Sequence, residues 1–230
     1  MASFGVIFDA DGVLFDSERQ SLAALYLAVK EMTSGRVELG PDLLAFVCGR
    51  DDNSIVDHLN RQHGLSIDTA VFRSHKIDCY RRVIADDPIT VTPGALSLLD
   101  QLEAARVPYA ISTAAVRAKI DLSLSVLGLA HRFPIITSLD DVSAGKPDPA
   151  VFLLSAKRLG LSPDRLIVFE DSINGVVAAN RAGMYSVGVT GTFTREQLSE
   201  ARQVIADLRS ISVPLLENWL NDSLYSKGEP

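Results

Sequence analysis

Two aspartates and a glycine leave a short apolar run near the start of the chain. Ser3 to Phe8 has the pattern of a buried strand, and Asp9-Ala10-Asp11-Gly12 follows it at once. Two unit charges about 4 Å apart cost on the order of 4 kcal/mol at an effective dielectric near 20. A bound cation or a shared proton is the usual way to offset that repulsion. The plainer alternative is a polar turn, since Asp and Gly are ordinary turn residues. Three other stretches carry groups of the same kind. Glu170-Asp171 follows the apolar run Arg165–Phe169, Ser112-Thr113 follows Val107–Ile111, and Lys146 lies in a loop after Pro134–Thr137.

The elements that must position these groups fall into two classes. From about residue 17 to 87 the periodicity is helical. Leu22, Leu25, Tyr26 and Val29 share one face, Pro41 opens a short helix through Val47, and the polar loop Cys48–Asp52 follows. A further helix carries Ile55, Val56 and Leu59 and stops near Gly64. Asp68 then caps a helix bearing Val71, Phe72, Cys79, Tyr80, Val83 and Ile84. After the turn Asp86-Asp87-Pro88, helices and strands alternate. Pro93 starts a helix with Leu96, Leu99 and Leu102 on one face, and Asp148-Pro149 opens another. Residues 174–182 read as helix, Tyr185–Val189 as strand, and a charged helix is expected from about Thr194 to Leu208.

This order predicts an α/β fold: an open parallel Rossmann-like sheet with helices on both faces, formed by residues 1–16 and 88–230. An all-helical insertion, 17–87, interrupts it after the first strand. Ligands of such sheets sit at the carboxyl ends of the strands. Asp9, Ser112 and Glu170-Asp171 all fall at such ends, and their convergence argues against a simple turn.

Composition narrows the partners. The 230 residues are 47% hydrophobic and 22% charged, with a formal net charge of −7. That balance argues against nucleic acid or an anionic membrane as partner, while leaving room for a small anionic substrate beside a local basic group. No apolar stretch approaches the roughly 20 residues that span a bilayer. The N-terminus lacks the basic start of a signal peptide. Cys48 and Cys79 form neither a metal-ligand spacing nor a disulfide framework, which fits reduced thiols in the cytoplasm. The four histidines, His58, His63, His75 and His131, share no spacing and suit surface or helix-end positions.

Asp9-Ala10-Asp11-Gly12-Val13-Leu14-Phe15-Asp16, Ser112-Thr113, Gly145-Lys146-Pro147-Asp148-Pro149 and Phe169-Glu170-Asp171-Ser172 occur in that order. Together they resemble the four motifs of the haloacid dehalogenase-like hydrolase superfamily, in the subgroup with a helical cap that includes beta-phosphoglucomutase-like phosphatases. The resemblance implies that Asp9 is a nucleophile forming an aspartyl-phosphate and Asp11 a general acid–base. It implies that Lys146 and the Ser112 hydroxyl hold the phosphoryl oxygens, with Thr113 as the competing hydroxyl and its N–H as a further donor. Mg2+ would be the cofactor, held by the Asp9 and Asp171 side chains and the Asp11 carbonyl, with Glu170 binding directly or through water. Arg50 and Lys76 match cap positions that contact substrate in sugar-phosphate members, and the cap would close as a lid. Asp16 would anchor the hinge into it.

The departures point the same way. Ser21 stands where mutases of this subgroup carry a histidine, Arg50 where phosphonate-cleaving members carry a lysine, and Asp11 is an aspartate the dehalogenases lack. The expectation is an enzyme that hydrolyses a small phosphorylated metabolite, a sugar or polyol phosphate. A sugar-phosphate mutase is the alternative, and a non-catalytic interaction protein the remoter one. The sequence names neither the substrate nor the oligomeric state, and a monomer is compatible with it.

Overall fold

The computed structural model describes residues 3–41, 43, 46 and 51–225. Its strands are β1 (Gly5–Phe8), β2 (Phe15–Asp16), β3 (Thr90–Val91), β4 (Tyr109–Ser112), β5 (Ile136–Thr137), β6 (Leu166–Glu170), β7 (Tyr185–Val189) and β8 (Gln203–Ile205). Its helices of eight or more residues are α1 (Glu18–Met32), α2 (Asp52–His63), α3 (Thr69–Asp86), α4 (Ala95–Ala104), α5 (Arg117–Val126), α6 (Ala150–Leu159), α7 (Ile173–Arg181) and α8 (Val213–Tyr225). Contacts divide the chain into two compact units, residues 1–16 with 90–230, and residues 17–89.

The first unit is built on a six-stranded sheet in the order β5-β4-β1-β6-β7-β8. Every adjacent pair is parallel. Every residue of β1, β6 and β7 is buried, as a parallel sheet covered on both faces requires. On one face Ile7, Leu166 and Val168 pack against Val151, Phe152 and Ala156 of α6, Ala178 and Ala179 of α7, and Ala182 just past its end. Each fully buried Leu, Ile, Val or Phe contributes about 1.5–3 kcal/mol. Phe8 and Phe169 point the other way and stack with ring centroids 5.5 Å apart. Trp219 of α8 stacks on Tyr185 at 6.0 Å. Asp16 sits in a small antiparallel ribbon, paired with Thr90.

Helices are the only regular secondary structure among the described residues of the second unit, and α1 packs along α3. Asp51 caps α2 by accepting the Ser54 N–H at 2.9 Å, and Asp68 caps α3 through the Ala70 and Val71 N–H groups. Leu25 and Val29 are buried, but the stripe on α1 continues through Ala24 and Ala28. Leu22 and Tyr26 remain 39% and 45% exposed. Small alanines let the two helices approach, so the face turns away from the bulkier pair. Glu31 of α1 ties them, accepting from Arg82 at 2.8 and 3.0 Å and lying 2.8 Å from His75 Nε2.

Three expectations shift. Residues 194–208 form turns and β8 rather than a helix: β8 pairs with Val187–Val189, and Leu198 is buried against Gly188. Helix propensities of a few tenths of a kcal/mol per residue yield to an added strand and an anchored leucine. On α4 the buried stripe is Leu98, Leu99 and Leu102, and Leu96 faces out. The helix opened by Asp148-Pro149 starts at Ala150, with Asp148 accepting its N–H at 2.9 Å. The helix expected at Pro41–Val47 lies mostly outside the described residues, as do Cys48 and Arg50. Among the described residues no helix is long and apolar enough to cross a membrane.

Candidate active site

Strand register assembles the site. Phe8 pairs with Ile111 on β4 and with Phe169 on β6. The next residues out are therefore Ser112, Asp9 and Glu170, and Ser112 is itself paired with Thr137 on β5. In-register neighbours of a parallel sheet point to the same face. Thr137, Ser112, Asp9 and Glu170 thus form one row across the carboxyl ends of β5, β4, β1 and β6, on the face covered by α6 and α7.

Lys146 closes this row from its loop, just before a cis peptide bond to Pro147. Its Nζ donates to Asp9 Oδ1 at 2.5 Å, to Glu170 Oε2 at 2.7 Å and to the Ser112 carbonyl at 3.2 Å. The lysine side chain is 4% exposed and Glu170 1%. Burial works against this ammonium, but the two carboxylates outweigh it and hold its pKa above the usual lysine value. Lys146 is therefore a fixed cation at neutral pH.

Glu170 is held from both sides. Its Oε1 accepts from the Ser172 N–H at 3.1 Å and the Ser172 hydroxyl at 2.6 Å. Ser172 also caps α7, accepting from the Gly175 N–H at 3.0 Å. A Cβ at Gly175 would run into the Glu170 carboxylate, so any other residue at this place in the first turn requires that carboxylate to shift. Gly12 has a comparable task. It turns the loop after β1 with φ +76°, and a Cβ there would strike Asp171.

Asp171 accepts from the Thr192 hydroxyl at 2.6 Å. Burial, then the neighbouring Glu170 charge, pushes its pKa up to about 7. Burial also pushes Asp9 well above the usual carboxylate range, against the pull of Lys146. The ligand oxygens of Asp9, Glu170 and Asp171 lie within 4.8 Å of one another. With Asp11 beside them, four carboxylates face the ammonium groups of Lys146 and Lys119, and negative charge is left over. An all-oxygen donor set with surplus negative charge suits a hard divalent cation. The residues fit a metal ion.

The remaining expected residues fall out as follows. Asp11 is more open than Asp9, and its Oδ1 accepts from Lys119 of α5 at 2.7 Å. Lys119 has no motif in the sequence; its only signal is a place in the first turn of the helix after the β4 end. The Ser112 hydroxyl is fully buried and lies 2.6 Å from Ser155 Oγ. Thr113 is a correction: its N–H, expected to face a phosphate, donates to the Thr137 carbonyl at 2.9 Å. Its hydroxyl accepts from the Ala115 N–H at 3.1 Å and keeps its own hydrogen to donate, so the ladder occupies the N–H alone. Lys76 lies on α3 of the helical unit, paired with the buried Asp52, which Arg73 also contacts at 3.3 Å. Arg50 lies outside the described residues. Thr192 and Ser155 carry no charge and stand in no motif, and nothing in the sequence singles them out.

Comparison with known proteins places this geometry. The haloacid dehalogenase-like hydrolase family pattern matches residues 6–189. Validoxylamine A 7'-phosphate phosphatase of Streptomyces hygroscopicus subsp. limoneus is 33% identical over 210 residues, covering 90% of this chain and 95% of its own. Hexitol phosphatase A of Escherichia coli (strain K12) is 30% identical over 210 residues, covering 91% and 93%. Among solved structures, CbbY from Rhodobacter sphaeroides, in complex with phosphate, superposes with a TM-score of 0.83 at 20% identity, over 93% of this chain and 98% of that one. That likeness speaks for the fold. A family match running from β1 through β7 is decisive for membership: the chain belongs to the haloacid dehalogenase-like hydrolase family.

Proposed function

We propose that the chain is a Mg2+-dependent phosphatase that hydrolyses a small phosphorylated metabolite, a sugar or polyol phosphate, through an aspartyl-phosphate on Asp9. The observation that carries this reading is the row Ser112–Asp9–Glu170 with Lys146 bound across it. The relatives named as phosphatases of phosphorylated sugar-like compounds support the substrate class.

Lys146 grips Asp9 Oδ1 and leaves the second oxygen to attack phosphorus. The ammonium favours the ionised form of Asp9 against the burial that opposes it. Attack forms the Asp9 O–P bond as the ester P–O bond breaks. The departing oxygen takes a proton from Asp11, which sits two residues along at the open side of the site. A water then attacks phosphorus, gives its proton back to Asp11, and releases inorganic phosphate and a free Asp9 carboxylate. Lys146 faces the phosphoryl oxygens throughout, stabilising the charge they carry in each transition state. Asp9 and Asp171, with Glu170 beside them, would hold Mg2+, whose charge neutralises the phosphoryl group.

The test is a screen of phosphorylated metabolites for released phosphate with the purified chain. Sugar or polyol phosphates are expected to turn over, with activity lost in EDTA and restored by Mg2+. Asp9→Asn should abolish turnover while the fold is kept. Isomerised product without phosphate release, or turnover retained in the Asn variant, would overturn the reading.

A further inference from the structure

Glu31, His75, Cys79 and Arg82 meet between α1 and α3 of the helical unit, and none of them belongs to the Asp9 row. His75 and Cys79 stand one turn apart on α3, so both project to the same side of it. Glu31 comes from the last turn of α1, which packs along α3. Its Oε2 lies 2.8 Å from His75 Nε2 and 3.9 Å from Cys79 Sγ. The three ligand atoms are all within 4.8 Å of one another. Cys79 is fully buried, whereas Glu31 and His75 are each about one-third exposed. The sulfur is therefore the floor of a site whose other two ligands border solvent.

These separations are close to those of three corners of a tetrahedral metal site. Bonds of about 2.0–2.1 Å to nitrogen and oxygen and about 2.3 Å to sulfur set neighbouring ligands about 3.3–3.6 Å apart. The observed 2.8 and 3.9 Å bracket that range, within reach of small side-chain rotations. An i, i+4 pair supplies two ligands from one rigid helix, the spacing by which helical zinc motifs present two histidines. A cationic group already rests against two of the three atoms. Arg82 Nη2 is 2.8 Å from Glu31 Oε2 and 3.0 Å from Cys79 Sγ, and its Nη1 is 3.0 Å from Glu31 Oε1. The guanidinium marks a place where positive charge is held, and its side chain is 52% exposed, so it can swing into water. Thiolate and imidazole ligands select zinc-like ions over Mg2+, which takes oxygen.

We propose that Glu31, His75 and Cys79 form a second metal site, for a d-block divalent ion of the Zn2+ class, with water as the fourth ligand. As the ion enters, the Cys79 thiol gives its proton to solvent and the Sγ–metal bond forms. Neutral His75 binds through Nε2, and Arg82 leaves Glu31 and turns outward. Thiolate and carboxylate then balance the two positive charges, and the ion replaces Arg82 as the link between α1 and α3. The site is independent of the phosphatase reading and of the Mg2+ expected at Asp9 and Asp171.

Co2+ is the probe, titrated into the purified chain in excess Mg2+. A thiolate ligand gives a near-ultraviolet charge-transfer band that the all-oxygen set at Asp9 does not produce. The band should saturate with Co2+ and vanish when Zn2+ is added. Cys79→Ser should abolish it, and Cys48→Ser, at the other thiol of the chain, should leave it intact. His75→Ala should weaken Zn2+ at least about tenfold in competition with a colorimetric chelator. Arg82→Gln should do the opposite and tighten Zn2+ about two- to fivefold, because it removes a competitor held by a surface ion pair. Absence of the band in the wild type, a band that survives Cys79→Ser, or Zn2+ affinity unchanged by His75→Ala overturns the proposal. So does an affinity in Arg82→Gln no tighter than in wild type. Circular dichroism verifies that each variant is folded. Should the buried Cys79→Ser substitution unfold the chain, His75→Ala and Arg82→Gln, at partly exposed positions, still decide.

Discussion

Replacing Lys146 with methionine removes a cation from between two buried carboxylates and keeps the length of the stem that lies over Phe152. In wild type its Nζ is 2.5 Å from Asp9, 2.7 Å from Glu170 and 4.9 Å from the Phe152 ring centroid. Breaking a buried ion pair by deleting one partner costs about 3–5 kcal/mol, because the other charge is left uncompensated. In the variant that charge is relieved by taking up a proton, so the cost must depend on pH. A carboxylate near pKa 4 when unfolded but raised in the folded state carries no penalty below about pH 4. The penalty then grows by up to about 1.4 kcal/mol per pH unit for each such group, until the pH passes the folded pKa. Burial already raises Asp9 in the wild type, so the gap widens only by the further rise that losing Lys146 produces, and each extra unit of it makes the gap about 1.4 kcal/mol larger at pH 7 than at pH 5. The assay is urea unfolding at both pH values in EDTA, followed by fluorescence. The sequence has one tryptophan, and Trp219 stacks on β7, so the signal reports the unit that holds the site. A gap below about 1 kcal/mol at pH 7, or one equal at pH 5 and pH 7, would refute the assignment of Lys146 as the cation that favours the charged form of these carboxylates.

Two further substitutions probe the neighbours of that ion cluster. Lys119→Met removes the Lys119 ion pair from Asp11, and the loss in kcat/KM should be about tenfold on alkyl phosphates but under about threefold on nitrophenyl phosphate, whose leaving group departs without a proton. Equal losses on both substrates would show that Lys119 does not act through Asp11. Gly175→Ala should lower the Trp219-monitored melting temperature, since overpacking against the fixed Glu170 carboxylate costs about 1–3 kcal/mol against about 1 kcal/mol gained in helix propensity. A rise in melting temperature would mean that Glu170 can move aside.

What the sequence revealed of this site tracks charge. Asp9, Asp11, Lys146, Glu170 and Asp171 stood out because ionisable groups at the ends of apolar strands need an explanation that turns alone do not supply. The sheet was legible for a related reason: β1, β6 and β7 are short apolar runs bounded by polar residues, and their burial on both faces follows. Neutral groups away from the strand ends were silent. Ser155 differs from the alanines around it by one oxygen, and Thr192 is one threonine in a loop. Lys119 carries charge but lies on a helix surface, where a lysine is ordinary. The segment 194–208 failed in the opposite sense, because its residues favour helix locally while the unpaired edge of β7 and the burial of Leu198 decide the outcome.

The same burial that made the strands legible hid which residue of each acidic pair faces which partner. In a strand covered on one side, alternation of polar and apolar residues assigns every side chain to a face, and a one-residue slip is visible at once. In β1 and β6 both faces are apolar, so Glu170 and Asp171 are interchangeable on the page. Register removes the ambiguity: Phe8 pairs with Phe169, which puts Glu170 in the Asp9 row under Lys146 and leaves Asp171 to the loop, against Gly12 and Thr192. The two acids therefore meet different physics. Glu170 is pinned by three donors and is built to hold the lysine. Asp171 has one hydroxyl donor and a pKa raised to about 7 by burial and by Glu170, the condition of a carboxylate suited to a metal rather than to an internal cation.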